Sequence, residues 1–303
     1  MAILVTGGSG FIGSNTVSLA ISGNIEALNL DIKKDSSIRA DISEFNWDAF
    51  DLSRFDAVIH LAARISVPES FEIPEKYLEV NVEATRRLFS ACVKQGVPRV
   101  IFASSAAVYG SSTEEKKIVG NEFPPESPYA ETKLAGEDLA RSFATRKTTF
   151  TVFRFFNVFG HGQDADSPYA SVIPKFVRLA CDSSPITIEG DGLQTRDFIH
   201  VSDVARALIS ASEERPDEIF EIINLGSGKQ ISIIDFAFLV KKIAKNLGSP
   251  AESEIIHKAP REGDVRDSLA DLTGLYRFVD PKSFISFEAG IEDLIADEIN
   301  SQS

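Results

Sequence analysis

Sulfur is scarce in this chain: two cysteines and one methionine among 303 residues. Cys92 and Cys181 form no spaced pair, which sets aside a disulfide framework and a thiolate metal centre. Both read as buried thiols, as expected of a protein in the reducing cytoplasm. The four histidines, His60, His161, His200 and His257, show no metal-ligand spacing, so no metal is expected. Positive charge is also in short supply. Thirty-one Lys and Arg face 45 Asp and Glu, a net charge of −14. Nucleic-acid binding needs a basic face, so no such partner is expected. No apolar run approaches the ~20 residues of a membrane span. A strand-like run begins at residue 2, and no signal or transit peptide is expected.

What is present is a core-forming composition, 43% hydrophobic, and a motif at the start. Ala2-Ile-Leu-Val-Thr-Gly-Gly-Ser-Gly-Phe-Ile-Gly13 turns from a β-branched run into glycines at 7, 10 and 13, and an amphipathic stretch follows. That is the strand–turn–helix entry of a dinucleotide site. Gly7 makes the tight turn, Gly10 lets the backbone approach a pyrophosphate, and Gly13 lets helix and strand pack closely. The helix N-terminus offers free N–H groups to phosphates. Asp31 ends the second apolar run, about twenty residues on. Its carboxylate suits two ribose hydroxyls and repels a 2′-phosphate, which favours NAD over NADP. Lys33 and Lys34 are basic residues that a phosphate would also suit, or a solvated surface pair.

Strand and helix patterns alternate over the first 160 or so residues. Strands are predicted at Ile3–Val5, Glu26–Leu30, Ala57–Leu61, Val100–Ala103 and Thr149–Phe156, with helices at Glu75–Gln95 and Pro128–Arg146. Such alternation implies right-handed crossovers and a parallel sheet. After Gly160 the strands shorten, as in Ile186–Glu189 and Phe220–Asn224. Ser232–Asp235 reads as a capping box opening a helix to Asn246, and a last helix is predicted over Phe284–Asn300. The fold class expected is α/β: a Rossmann-type doubly wound parallel sheet with a smaller C-terminal α/β substrate domain. The expected division is 1–165, rejoined by about 196–225, for the NAD-binding domain and 166–303 for the second.

Tyr129 and Lys133 stand four apart and share a helix face. An ammonium near a phenol lowers its pKa and creates a base useful near neutrality. Phe102-Ala103-Ser104-Ser105 ends a central strand, where catalytic groups gather in open parallel sheets. A hydroxyl there can hydrogen-bond a substrate alcohol while Tyr129 takes its proton.

With these motifs the chain resembles the extended short-chain dehydrogenase/reductase family, and within it the UDP-glucose and UDP-N-acetylglucosamine 4-epimerases. The matching stretches are Thr6–Gly13, His60-Leu-Ala-Ala63, Asn81-Val, Ser104-Ser-Ala-Ala-Val-Tyr-Gly110, Tyr129-Ala-Glu-Thr-Lys133, Arg154-Phe-Phe-Asn-Val-Phe-Gly160, Gly190–His200 and Pro260-Arg-Glu-Gly-Asp264. The resemblance implies that Tyr129 is the base, that Lys133 holds the nicotinamide ribose, and that Ser105 is the catalytic hydroxyl. It places Phe11, Ile12, Asp41, Ile42, Leu61, Ala62, Ala63, Asn81, Ser104 and Phe156 against NAD, beside Gly7, Gly10, Gly13 and Asp31. Asn157, Val172, Arg196, Arg261 and Ser268 fall where substrate is held; forked guanidinium groups suit phosphate oxygens.

Two departures matter. Ala106 and Ala107 stand where related 4,6-dehydratases carry an acidic pair, which disfavours elimination. Arg64 and Ile65 stand where some epimerases have a lysine. The implied activity is NAD-dependent 4-epimerisation of a UDP-sugar by transient oxidation at C4. Alternatives are a reductase, decarboxylase or dehydratase of the same fold, or a non-catalytic NAD-sensing protein. Ser268 is small where plain-hexose epimerases tend to have tyrosine, so the 2-acetamido sugars are expected to be accepted. The resemblance also implies a homodimer through a four-helix interface. Leu88, Val93, Leu134 and Leu139 are expected to supply apolar surface beyond what the sheet needs.

Overall fold

The computed structural model describes residues 1–163, 172–214, 216–250, 252–260 and 266–302. The chain begins with β1 (Ala2–Thr6), α1 (Phe11–Ser22), β2 (Glu26–Asp31), β3 (Ile38–Arg39), β4 (Ala57–His60), α2 (Val67–Glu72), α3 (Pro74–Tyr77) and α4 (Thr85–Gln95). It continues through β5 (Arg99–Ser105), β6 (Lys116–Lys117), α5 (Pro128–Phe143), β7 (Thr149–Phe155), β8 (Asn157–Phe159), α6 (Val172–Cys181), β9 (Ile186–Glu189) and β10 (Thr195–His200). Then follow α7 (Val201–Glu213), β11 (Phe220–Leu225), β12 (Gln230–Ser232), α8 (Ile233–Asn246), β13 (Ile255–Lys258), β14 (Leu269–Ala270) and α9 (Phe287–Gln302).

Seven strands pair in the order β11-β7-β5-β4-β1-β2-β3, and every pairing is parallel. The sheet winds outward in both directions from β1 and β4, a doubly wound Rossmann-type arrangement whose switch point lies between those two strands. Helices cover both faces, so the central strands are apolar throughout. Leu4, Val58, Val100 and Val152 pack with Leu88, Phe89 and Leu139 on one face. Ile3, Val5, Ile59, Ile101 and Phe153 pack with Ala20, Val204 and Leu208 on the other. A further apolar cluster joins α6, α8 and α9 around Phe176, Phe198, Phe236 and Ile291. Beside it lie the small sheets β12-β10-β8 and β13-β9.

Several local signals act as expected. Ser127 Oγ accepts from Ala130 N at 3.2 Å to cap α5, and Ser232 Oγ accepts from Asp235 N at 3.1 Å to cap α8. The helix predicted over Glu75–Gln95 differs. It is α3, then a wider π-type turn over Leu78–Ala84, then α4. That turn carries Asn81 inward, and such widened turns recur at functional sites. α5 ends at Phe143 and not Arg146, because Ala144 is extended and Thr145 N bonds Thr148 O. α9 opens at Phe287, since Phe284 is extended after a tight turn over Pro281–Ser283. Leu88 and Leu139 belong to the intramolecular core and Val93 packs against it, so these three supply no surplus apolar face. Among the described residues, no helix is long and apolar enough to cross a membrane.

Candidate functional site

A cleft of about 1500 Å³ follows the carboxyl ends of the large sheet. Gly7, Gly10, Phe11, Ile12, Gly13, Asp31, Asp41 and Ile42 line it at the β1–β2 side. Leu61, Ala62, Ala63, Ser104, Ser105, Tyr129 and Lys133 line its middle, with Phe156, Asn157, Val172, Arg196 and Ser268 beyond.

The glycine turn is built to keep side chains out. Gly7 has φ +71°, and a Cβ there would lie 2.7 Å from the Ala62 nitrogen. A Cβ at Gly13 would lie 2.1 Å from the Gly7 carbonyl oxygen. α1 starts at Gly10 with no side-chain cap, leaving its first amides to whatever sits in the cleft. The Asp31 carboxylate accepts from Ser9 N at 3.0 Å and Lys33 N at 3.1 Å. Lys33 is exposed, and its Nζ donates to Ser9 O at 2.8 Å. Glycine cradle, uncapped helix and terminal carboxylate together fit an adenine dinucleotide.

Tyr129 and Ser105 meet at the centre. The tyrosine is buried, and the Ser105 hydroxyl, which accepts from Ala107 N at 3.1 Å, lies near enough to bear on its phenol. Burial pushes the phenol up, and the Ser105 hydroxyl opposes it. This differs from the expected lysine effect. Lys133 Nζ turns to the Ala103 carbonyl at 2.8 Å and lies 5.9 Å from the Tyr129 ring centre. Burial brings the Lys133 ammonium itself down to about 8, with the Glu137 carboxylate opposing.

His60, also buried, links Thr6 Oγ1 at 2.7 Å to Thr85 Oγ1 at 2.9 Å. Burial and Lys133 bring it down to about 3, so it is a neutral tie between β4 and its neighbours. Among the described residues no group of acids, histidines and cysteines has metal-site geometry.

Asn81 does not line the cleft. Its Oδ1 accepts from Arg64 N at 2.8 Å, and its amide donates to Arg64 O at 2.9 Å and Thr132 Oγ1 at 3.1 Å. It shapes the loop after β4 from behind. Arg64 does line the cleft and pairs with Glu69 at 3.2 Å. Ser104 Oγ is turned to Glu137 at 2.5 Å. Arg261 lies outside the described residues, as do 164–171 and 262–265.

Sequence reasoning missed three features. Glu137 is buried and receives Arg154 Nε at 2.9 Å, Arg154 Nη2 at 2.7 Å and Ser104. The signal was available: Glu137 follows Lys133 by one helical turn on the buried face of α5. Asp197 is wholly buried beside Arg196. Lys117, Lys175 and Lys258 add positive charge to the cleft wall; nothing local in the sequence marks them.

Residues 3–226 match the model of the NAD dependent epimerase/dehydratase family. A dTDP-L-rhamnose 4-epimerase from Burkholderia thailandensis is 31% identical, over 99% of this chain and 96% of that protein. A UDP-N-acetyl-α-D-glucosaminuronate decarboxylase from Bacillus cytotoxicus is 29% identical, over 96% of both. Among solved structures, a UDP-N-acetylglucosamine 4-epimerase from Methanobrevibacter ruminantium in complex with UDP-N-acetylmuramic acid superposes with a TM-score of 0.86 at 34% identity. It covers 100% of this chain and 99% of the other.

Proposed function

The chain belongs to the NAD-dependent epimerase/dehydratase family, an enzyme family using NAD on nucleotide sugars, and from that premise we propose that it is a UDP-sugar 4-epimerase. The substrates proposed are UDP-glucose and UDP-galactose, together with their 2-acetamido counterparts.

The observation that carries this reading is where carboxylates are absent. Among the described residues the acids lining the cleft are Asp31, Asp41 and Glu189. Asp31 ends β2, Asp41 follows β3, and Glu189 ends β9. None stands beside Tyr129, and Ala106 and Ala107 follow the catalytic serine. Elimination of a sugar hydroxyl needs an acid to protonate the leaving group. With none beside Tyr129 among the described residues, reversal is the outlet proposed for oxidation at C4, and reversal on the opposite face is epimerisation.

The glycine turn at Gly7, Gly10 and Gly13 and the Asp31 carboxylate would hold NAD, which when bound would supply the reversible oxidation at C4. Tyr129 takes the O4 proton and Ser105 holds that oxygen. Lys133, anchored on Ala103 O, is the residue proposed to hold the nicotinamide ribose. Arg196 faces the diphosphate. Ser268, small and on the cleft wall, leaves room for an acetamido group at C2.

Incubating the protein separately with pure UDP-galactose and pure UDP-N-acetylglucosamine, and identifying products by NMR, tests the reading. The C4 epimer of each is expected, without net NADH. A 4-keto-6-deoxy product or release of CO2 from a uronic acid substrate would assign another family activity.

A further inference from the structure

We propose that Asp197 is the positioning residue for the substrate end of the cleft, its carboxylate tying the segment Arg266–Asp271 down over β10. The inference rests on the reading of that end as a nucleotide-sugar site.

The carboxylate accepts four hydrogen bonds. Oδ1 takes Ser227 N at 2.7 Å and Ser227 Oγ at 2.7 Å. Oδ2 takes Gly228 N at 2.9 Å and Ala270 N at 3.0 Å. No cation pairs with it in these contacts. A fully buried carboxylate costs far more than a neutral side chain unless its lone pairs are filled. Burial pushes the Asp197 carboxyl up, and those donors hold it back. An acid kept at such cost, one residue from Arg196, does more than fill space.

What it joins is informative. The Asp197 carbonyl accepts from Asn157 Nδ2 at 3.1 Å. Arg196 precedes it and lines the cleft, and Ser268 lies two residues before Ala270. Asn157, Arg196 and Ser268 are cleft-wall residues from separate stretches of chain, and all three are referred to this one residue.

The other ties on the segment are weaker or neutral. Arg266 pairs with Asp191 at 2.9 Å, and Lys116 with Asp271 at 2.8 Å, each through a side chain more than half exposed. Such exposed pairs contribute little. Thr195 adds two bonds, its N–H to Arg266 O at 2.9 Å and its hydroxyl, only part-buried, to the Asp267 carboxylate at 2.8 Å. Leu269 and Ala270 pair with Lys116 and Lys117 along only two residues. The charge-assisted, buried bond from Ala270 N to Asp197 is the one that water cannot replace.

Asp197→Asn tests this, because it keeps the shape and removes the charge. Amide hydrogen exchange in the ligand-free protein should show Ala270 and Gly228 exchanging at least tenfold faster in the variant. KM for the UDP-sugar should rise tenfold or more, with kcat within threefold and NAD content per chain unchanged. Calorimetric affinity for UDP-glucose should fall in step with KM. Unchanged exchange at Ala270, or equal losses in kcat, NAD content and substrate affinity, would overturn the proposal.

The exchange and calorimetric readings need no turnover. A parent protein that binds UDP-glucose without epimerising it would defeat the proposed activity while leaving this inference to its own result. Should Asp197→Asn fail to fold, Thr195→Val loosens the same segment from the other side. It should raise KM about threefold with kcat preserved, and an unchanged KM would overturn the role.

Discussion

Replacing Glu137 by glutamine probes how the catalytic strand end is held. Glu137 and Arg154 have side chains 3% and 2% exposed and are joined by two hydrogen bonds, with Ser104 as a third partner. Glutamine has the same outline, but one oxygen becomes a donor facing a guanidinium or hydroxyl that also donates. Removing one partner of a buried pair costs about 3–5 kcal/mol, mostly because the other charge is left uncompensated. Here Arg154 keeps Glu122 as a partner, which puts the loss near the lower figure, ~3 kcal/mol. At about 2.1 cal/mol/K of unfolding entropy per residue, each kcal/mol moves the midpoint of this 303-residue chain by about 1.6 °C. The midpoint of thermal unfolding, followed by circular dichroism at pH 7, should therefore drop by roughly 5 °C. A double variant with methionine at both 137 and 154 removes both charges and should lose less than Glu137→Gln alone. A single variant melting within about 2 °C of the parent, or a double variant as damaged as the single, would refute the reasoning.

Other outcomes follow from the same structure. Lys133 has a folded pKa of about 8 against an ordinary 10.5, so the unfolded chain binds the extra proton between those values and stability contributed by this group rises with pH there. At pH 7, where the ammonium is buried at a cost of about 3 kcal/mol, NAD-free Lys133→Met should melt higher than the parent. The gap should close as pH climbs from about 8 towards 10.5, and a variant that melts lower at pH 7 would reverse the assignment. Ser268→Tyr should abolish turnover of the 2-acetamido sugars and spare the plain hexoses; equal loss on both would reject the pocket assignment. The homodimer that the family resemblance implies, though Leu88, Val93 and Leu139 give it no surplus face, is checked by light scattering at micromolar concentration: twice the chain mass is expected, and a monomer mass would reject it.

Much of the NAD half was legible because its rules are local. A glycine that must take φ +71° and another whose Cβ would strike a carbonyl announce themselves by identity and spacing. Tyr129 and Lys133 share a face because α-helical geometry puts residues four apart together. Less visible is whatever depends on strands meeting across the sheet. Arg154 stands opposite Ser104 only through the parallel register of β5 and β7, and Asp197 reaches Ala270 across 73 residues of chain. The widened turn at Leu78–Ala84 was hidden because its apolar spacing reads as plain helix. Leu88 and Leu139 looked like surplus surface because periodicity does not report how far a helix sinks into its own sheet. The lysine effect on Tyr129 missed for the same reason: spacing placed the ammonium nearby, but the Ala103 carbonyl decides where it points.

The central claim is reversible oxidation at one carbon, carried by Tyr129 and Ser105 with no acid beside them among the described residues to drive elimination. UDP-glucose deuterated at C4, incubated with the protein and no added reductant, tests it directly. The account predicts UDP-galactose with the deuterium still on C4 and loss of this conversion by 10²-fold or more in Tyr129→Phe. Deuterium appearing elsewhere in the sugar, or full conversion by Tyr129→Phe, would contradict it.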